Sequence, residues 1–100
     1  MTLQVQHNYT FKLTTGEEIV AKLITENDNV YVVTFPVMII PGERGIQMMP
    51  YCFSGITDVD VNLNKHAVVM VADVREDINS SYVEATTGIK TPPPKKIILG

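Results

Sequence analysis

Residues 9–24 read YTFKLTTGEEIVAKLI, and their pattern decides the fold. Along the first six, apolar and polar side chains alternate: Tyr9, Phe11 and Leu13 share one face, and Thr10, Lys12 and Thr14 the other. A period of two is the mark of a β-strand with one face buried. Thr14-Thr15-Gly16-Glu17 then reads as a tight turn in which Gly16 can take a positive φ. Ile19, Ala21 and Leu23 continue the inward face on a second strand, while Val20 and Ile24 make its outer face partly apolar. A strand apolar on both sides is covered on both sides, here by more barrel or by a neighbouring subunit.

Working outward, Glu26-Asn27-Asp28-Asn29 is the next turn, rich in residues that form Asx bonds. Residues 30–40 make a third strand, β-branched and aromatic, in which Pro36 marks a bulge, a bend or an edge. Residues 41–45 (PGERG) form a second hairpin loop. A fourth strand runs from 46 to about 53, a polar connection covers 54–62, and a fifth strand covers 63–72. The period then changes. Val74, Ile78, Tyr82 and Ala85 recur on one helical face, Asp73 and Glu76 have the spacing of a capping box, and Gly88 is a stop. Residues 92–94 are three prolines, which stiffen the chain into a spacer, and 95–100 form a tail. The expected architecture is all-β with one helix: a small, strongly bent antiparallel barrel of five strands, with the helix after the last strand. Residues 1–88 make this unit and 89–100 the Pro-rich tail.

With 100 residues, 45% of them hydrophobic and 19% charged, the chain has the length and composition of one globular domain. A chain this short leaves much of its surface exposed, and oligomerisation is a common remedy. It has no apolar run long enough for a membrane-spanning helix, and its first residues lack the pattern of a secretory signal. The single cysteine, Cys52, forms no internal disulfide and suits a reducing compartment such as the cytoplasm. A net charge of −3 without a basic run argues against strong non-specific nucleic-acid binding. A local site remains open, because ring symmetry can gather one lysine from each subunit.

Residues 9 to about 72 resemble the core of the Sm-like family. Gly16 stands where that family places its turn glycine, and Asp28 where it keeps an aspartate before the third strand. Lys65-His66-Ala67 matches the Lys-His-Ala of the Hfq branch, whose Lys and His line an RNA-binding pore face. The layout is also similar to Sm-like proteins of tailed phages of aquatic bacteria, which carry a TTGEEI-type hairpin and a helix after the barrel. The chain departs from the family in lacking room for an N-terminal helix. Counted from Asp28, the base-stacking aromatic of the Hfq branch falls on Val30, and a one-residue loop shift places it on Tyr31. The resemblance implies a homo-oligomeric ring closed by pairing of the fourth strand with a neighbour's fifth. It also implies single-stranded RNA at the pore face, contacted by Lys65, His66, Tyr31 and Asp28. If the chain is phage-encoded, the expected compartment is the host cytoplasm.

Read from the residues themselves, Lys65 and His66 lie on opposite faces of the fifth strand, as a pore-facing pair or as a solvated lysine beside a hydrogen-bonded histidine. Cys52 reads as a buried small hydrophobe, since no oxyanion hole or third partner accompanies it. The two histidines and scattered acids show no metal-ligand spacing, so neither enzyme activity nor a metal or cofactor is expected. Gly42-Glu43-Arg44-Gly45 is a hairpin turn, not the nucleic-acid clamp of similar form that joins two helices. The alternative to RNA binding is an adaptor ring that acts through protein contacts.

Overall fold

The computed structural model describes residues 2–88; the Pro-rich tail lies outside the described residues. The chain forms β1 (His7–Leu13), β2 (Glu18–Glu26), β3 (Val30–Gly42), β4 (Gly45–Pro50) and β5 (Val61–Asn64). A 3-10 turn (Lys65–Ala67), β6 (Val68–Asp73) and α1 (Glu76–Thr87) follow. All ladders are antiparallel, in the order β4-β3-β2-β1-β6, and β5 pairs with the first half of β3. This is the expected fold class, consistent with a small all-β Sm-like fold. Among the described residues it has six strands rather than five, and the sheet is not closed into a continuous ladder. The difference lies at Lys65–Ala67, where the single strand expected over 63–72 is broken by the 3-10 turn.

The opening hairpin forms as its alternation dictates. Phe11 pairs with Ile19 across the β1–β2 ladder, and Gly16 takes φ +103° in the turn. Gly16 donates its N–H to the Leu13 carbonyl at 2.9 Å. The inward faces of β1 and β2 bury Tyr9, Phe11, Leu13, Ile19, Ala21 and Leu23, joined by Val33 of β3. The outer face of β2 is covered too, in part by further strands of the sheet, as expected, and in part by the helix, which was not foreseen. Val20 packs against Ile78 and Tyr82 of α1, beside Val37 and Ile39 of β3. The helix is the lid of the second core.

The bend expected at Pro36 is centred one residue earlier, at Phe35, which has φ +52°. A non-glycine residue there is strained by about 1–3 kcal/mol and persists only when its surroundings fix it. Both backbone groups of Phe35 are fixed. Its N–H donates to the Thr57 carbonyl at 2.8 Å, and its carbonyl accepts from the Tyr82 hydroxyl at 2.8 Å. The helix thereby locks the bend. Its start differs from the expected capping box: Arg75 is the N-cap residue and makes no side-chain cap. Asp73 is instead the last residue of β6, where it pairs with Tyr9 and lies 3.2 Å from the His7 ring. Gly88 ends the helix at φ +75°, as expected. No helix among the described residues is long and apolar enough to cross a membrane.

Burial pushes the Tyr82 phenol well above its ordinary value. An unfolded tyrosine ionises near pH 10, so below about pH 10 both states keep the proton and the stabilisation is complete. At higher pH the unfolded state ionises first, and stability falls with rising pH. Tyr82→Phe is expected to cost about 1–2 kcal/mol at pH 7, because the Phe35 carbonyl loses its donor. The gap between wild type and variant in urea midpoint should then narrow above pH ~10. A gap independent of pH would show that Tyr82 ionises alike in both states.

Candidate nucleic-acid interface

The 3-10 turn has a local cause. The Asn64 side-chain oxygen accepts from the His66 N–H at 2.9 Å, an Asx-type bond that draws the chain out of the strand. Two distant loops hold it there. The Lys65 N–H donates to the Asn29 carbonyl at 2.9 Å, and the Ala67 carbonyl accepts from the Thr14 N–H at 2.8 Å. The loop at Asn29 is itself an Asx turn, with Asn27 Oδ1 accepting from the N–H groups of Asn29 (2.8 Å) and Val30 (3.0 Å). Lys65 and His66 are therefore turn residues, not the two faces of a strand.

This stitching brings three of the four expected residues together. The Lys65 ammonium lies 4.8 Å from the centroid of the Tyr31 ring, within cation–π range. The Tyr31 ring rests on buried Phe11, with centroids 5.2 Å apart. Asp28 belongs to the adjoining turn and acts on Lys65 through its charge. His66 is the fourth: it is exposed, and its backbone N–H donates to Asn64. Of the two residues considered for the aromatic position, Tyr31 is the one whose ring lies beside Lys65.

Sequence reasoning missed Glu26. Its Oε1 is 2.6 Å from Lys65 Nζ, and this bond raises the Lys65 pKa, against the effect of partial desolvation. The signal was present in register terms, since Glu26 is the direct ladder partner of Tyr31. The Lys65 side chain is 27% exposed, covered by the carboxylate and the ring. Its charge is paired with that of Glu26.

No family model and no curated protein matches this chain.

The cluster combines an aromatic face, an ammonium that can meet phosphate, and two carboxylates that repel phosphate but accept from base N–H groups. Residues 42–45 form a two-residue β-hairpin turn, with Gly42 paired to Gly45. Among the described residues no group of three or more His, Cys, Asp or Glu is placed to hold a metal ion. Cys52 is exposed, not buried, because β4 ends at Pro50 instead of continuing to about 53 and leaves it in a surface loop.

Proposed function

We propose that this chain is a non-enzymatic Sm-like subunit that assembles into a homo-oligomeric ring and binds single-stranded RNA in the cytoplasm. The observation that carries this reading is the Lys65 ammonium seated 4.8 Å over Tyr31, on a turn stitched to the Asp28 loop. A cation beside an aromatic face is the combination that single-stranded nucleic acids use, through phosphate contact and base stacking. The assembly is supported by the edges of the sheet: β4 and β6 have no ladder partner on their outer sides among the described residues. Unpaired edges invite a second chain. Light scattering at micromolar concentration should report an oligomer, and a stable monomer would overturn the ring.

Titration of oligo-U and oligo-A at two salt concentrations tests the RNA site. Affinity should fall with salt, with a logarithmic slope of ~0.7 per phosphate contacted. Lys65→Ala should weaken binding to both oligomers and flatten that slope, while His66→Ala should mainly reduce discrimination between them. The second reading, an adaptor ring, is favoured by the ion pair that already occupies Lys65. An assembled ring that binds neither oligomer at low salt would establish the adaptor reading.

A further inference from the structure

One segment has no role in the cluster above, and it interrupts the edge of the sheet. Pro50 of β4 is paired with Val37, and Val61 of β5 with Val33. Residues 51–60 therefore stand opposite residues 34–36 alone, and they leave the hairpin as a surface excursion. This excursion is held in place at its base. The Tyr51 N–H donates to the Pro36 carbonyl at 3.1 Å, and the Thr57 carbonyl accepts from the Phe35 N–H at 2.8 Å. Thr34 Oγ1 also donates to the Thr57 carbonyl, at 3.3 Å. An anchored loop can tuck apolar side chains inward, and this one does the opposite. Phe53 is 76% exposed, Ile56 74% and Val59 53%.

The opposite edge shows a matching feature. Met70 pairs with Lys12 and Val68 with Leu13, which leaves Val69 over as a bulge residue in the β1–β6 ladder. A bulge turns consecutive side chains toward one side. Val69 and Met70 are accordingly both exposed, at 64% and 57%.

We infer that residues 51–60 form an assembly arm, whose Phe53, Ile56 and Val59 dock on Val69 and Met70 of a second copy of this chain. The inference rests on the ring reading and names the contact that holds it. A head-to-tail contact joins two different surfaces of one molecule and closes into a ring when the rotation permits. Here the two surfaces lie at opposite edges of one sheet, and the arm emerges directly from the end of β4. Pairing β4 with a neighbour's β6 carries the arm alongside the exposed pair. A stable interface needs about 800 Å² per partner. A six-residue edge ladder gives hydrogen bonds and little apolar burial, and the arm supplies the remainder. Asp58 and Asp60 in the same loop argue against an anionic membrane as the occupant.

Cys52, the single thiol of the chain, is exposed within the arm and serves as the probe. Full-length protein is labelled there with a benzophenone maleimide, mixed as light and ¹⁵N-labelled subunits, and irradiated. The expected product joins the arm to the tryptic peptide 66–75, with light and heavy partners combined. In parallel, Phe53→Asp with Ile56→Asp should weaken assembly by roughly 100-fold while circular dichroism stays that of wild type. An oligomer whose cross-links avoid peptide 66–75, or whose assembly survives both substitutions, overturns the arm and leaves the ring reading standing. A wild-type monomer overturns both.

Discussion

Phe11→Ala is expected to cost about 3–5 kcal/mol, a large share of the ~5–15 kcal/mol that stabilises a typical domain. Phe11 is fully buried, and its ring lies between those of Tyr9 and Tyr31, at centroid distances of 6.5 and 5.2 Å. Its backbone is held on both sides, paired with Ile19 in β2 and Val71 in β6. Strands fixed by ladders on both flanks cannot slide in to fill a void, so the cavity persists and its cost adds to the lost transfer energy. Phe11→Leu, which keeps most of the volume, should cost only about 1–2 kcal/mol. Urea unfolding followed by circular dichroism measures both, and an Ala variant within ~1 kcal/mol of wild type would show that the ring is not packed as described. The same substitution should also loosen the candidate site, because Phe11 supports the ring beneath Lys65. A partly folded Phe11→Ala protein should therefore lose RNA affinity even though residue 11 touches no solvent.

How far the sequence reveals this arrangement depends on the range of the interactions involved. The β1–β2 hairpin is legible because its cause is local: alternation, then a glycine able to take φ +103°. Val20 was legible as a residue in need of cover, and its cover by other strands was expected, but not the part supplied by Ile78 and Tyr82, which lie on a helix at the far end of the described chain. The break at Lys65–Ala67 was hidden because an apolar run looks alike as a strand or as a strand with a turn. Only Asn64 offered a local sign, and the other two restraints come from Thr14 and Asn29. The helix start failed for a similar reason. Asp73 is taken by the β1–β6 ladder and lies beside His7, so it cannot cap. Asp77, in the first turn of the helix, is instead tied to Arg75, which holds its carboxyl below the usual range, and accepts from the Ile78 N–H without acting as the cap.

The candidate site was half legible. Lys65, Asp28 and Tyr31 were singled out by resemblance, and the structure places the Tyr31 ring beside Lys65, with Asp28 in the adjoining turn. Glu26 escaped because a carboxylate at a strand end looks like solvated charge until the register sets it opposite Tyr31. Its presence changes what the cluster means. A lysine alone would be a standing invitation to phosphate, whereas a lysine already paired must exchange one anion for another.

Glu26→Gln is therefore expected to strengthen RNA binding, which is the reverse of the usual result when a residue is removed from a binding site. The carboxylate lies 2.6 Å from the Lys65 ammonium and competes directly with any phosphate. Glutamine keeps the size and a hydrogen-bonding oxygen but gives up the charge. The gain should be about threefold per engaged subunit, the scale of a partly exposed ion pair. If three subunits hold one strand, the factors compound to roughly 30-fold. The salt slope should steepen as more of each lysine's charge is spent on phosphate. Lys65→Ala moves affinity and slope in the opposite direction. The double variant separates two mechanisms: if Glu26 acts through Lys65, it behaves as Lys65→Ala alone, and if Glu26 repels RNA by itself, it recovers part of the loss. Fluorescence anisotropy with oligo-U at low and moderate salt measures all four proteins. Weaker binding by Glu26→Gln would show that the carboxylate accepts from a base. An unchanged affinity would place the RNA contacts away from Lys65 altogether.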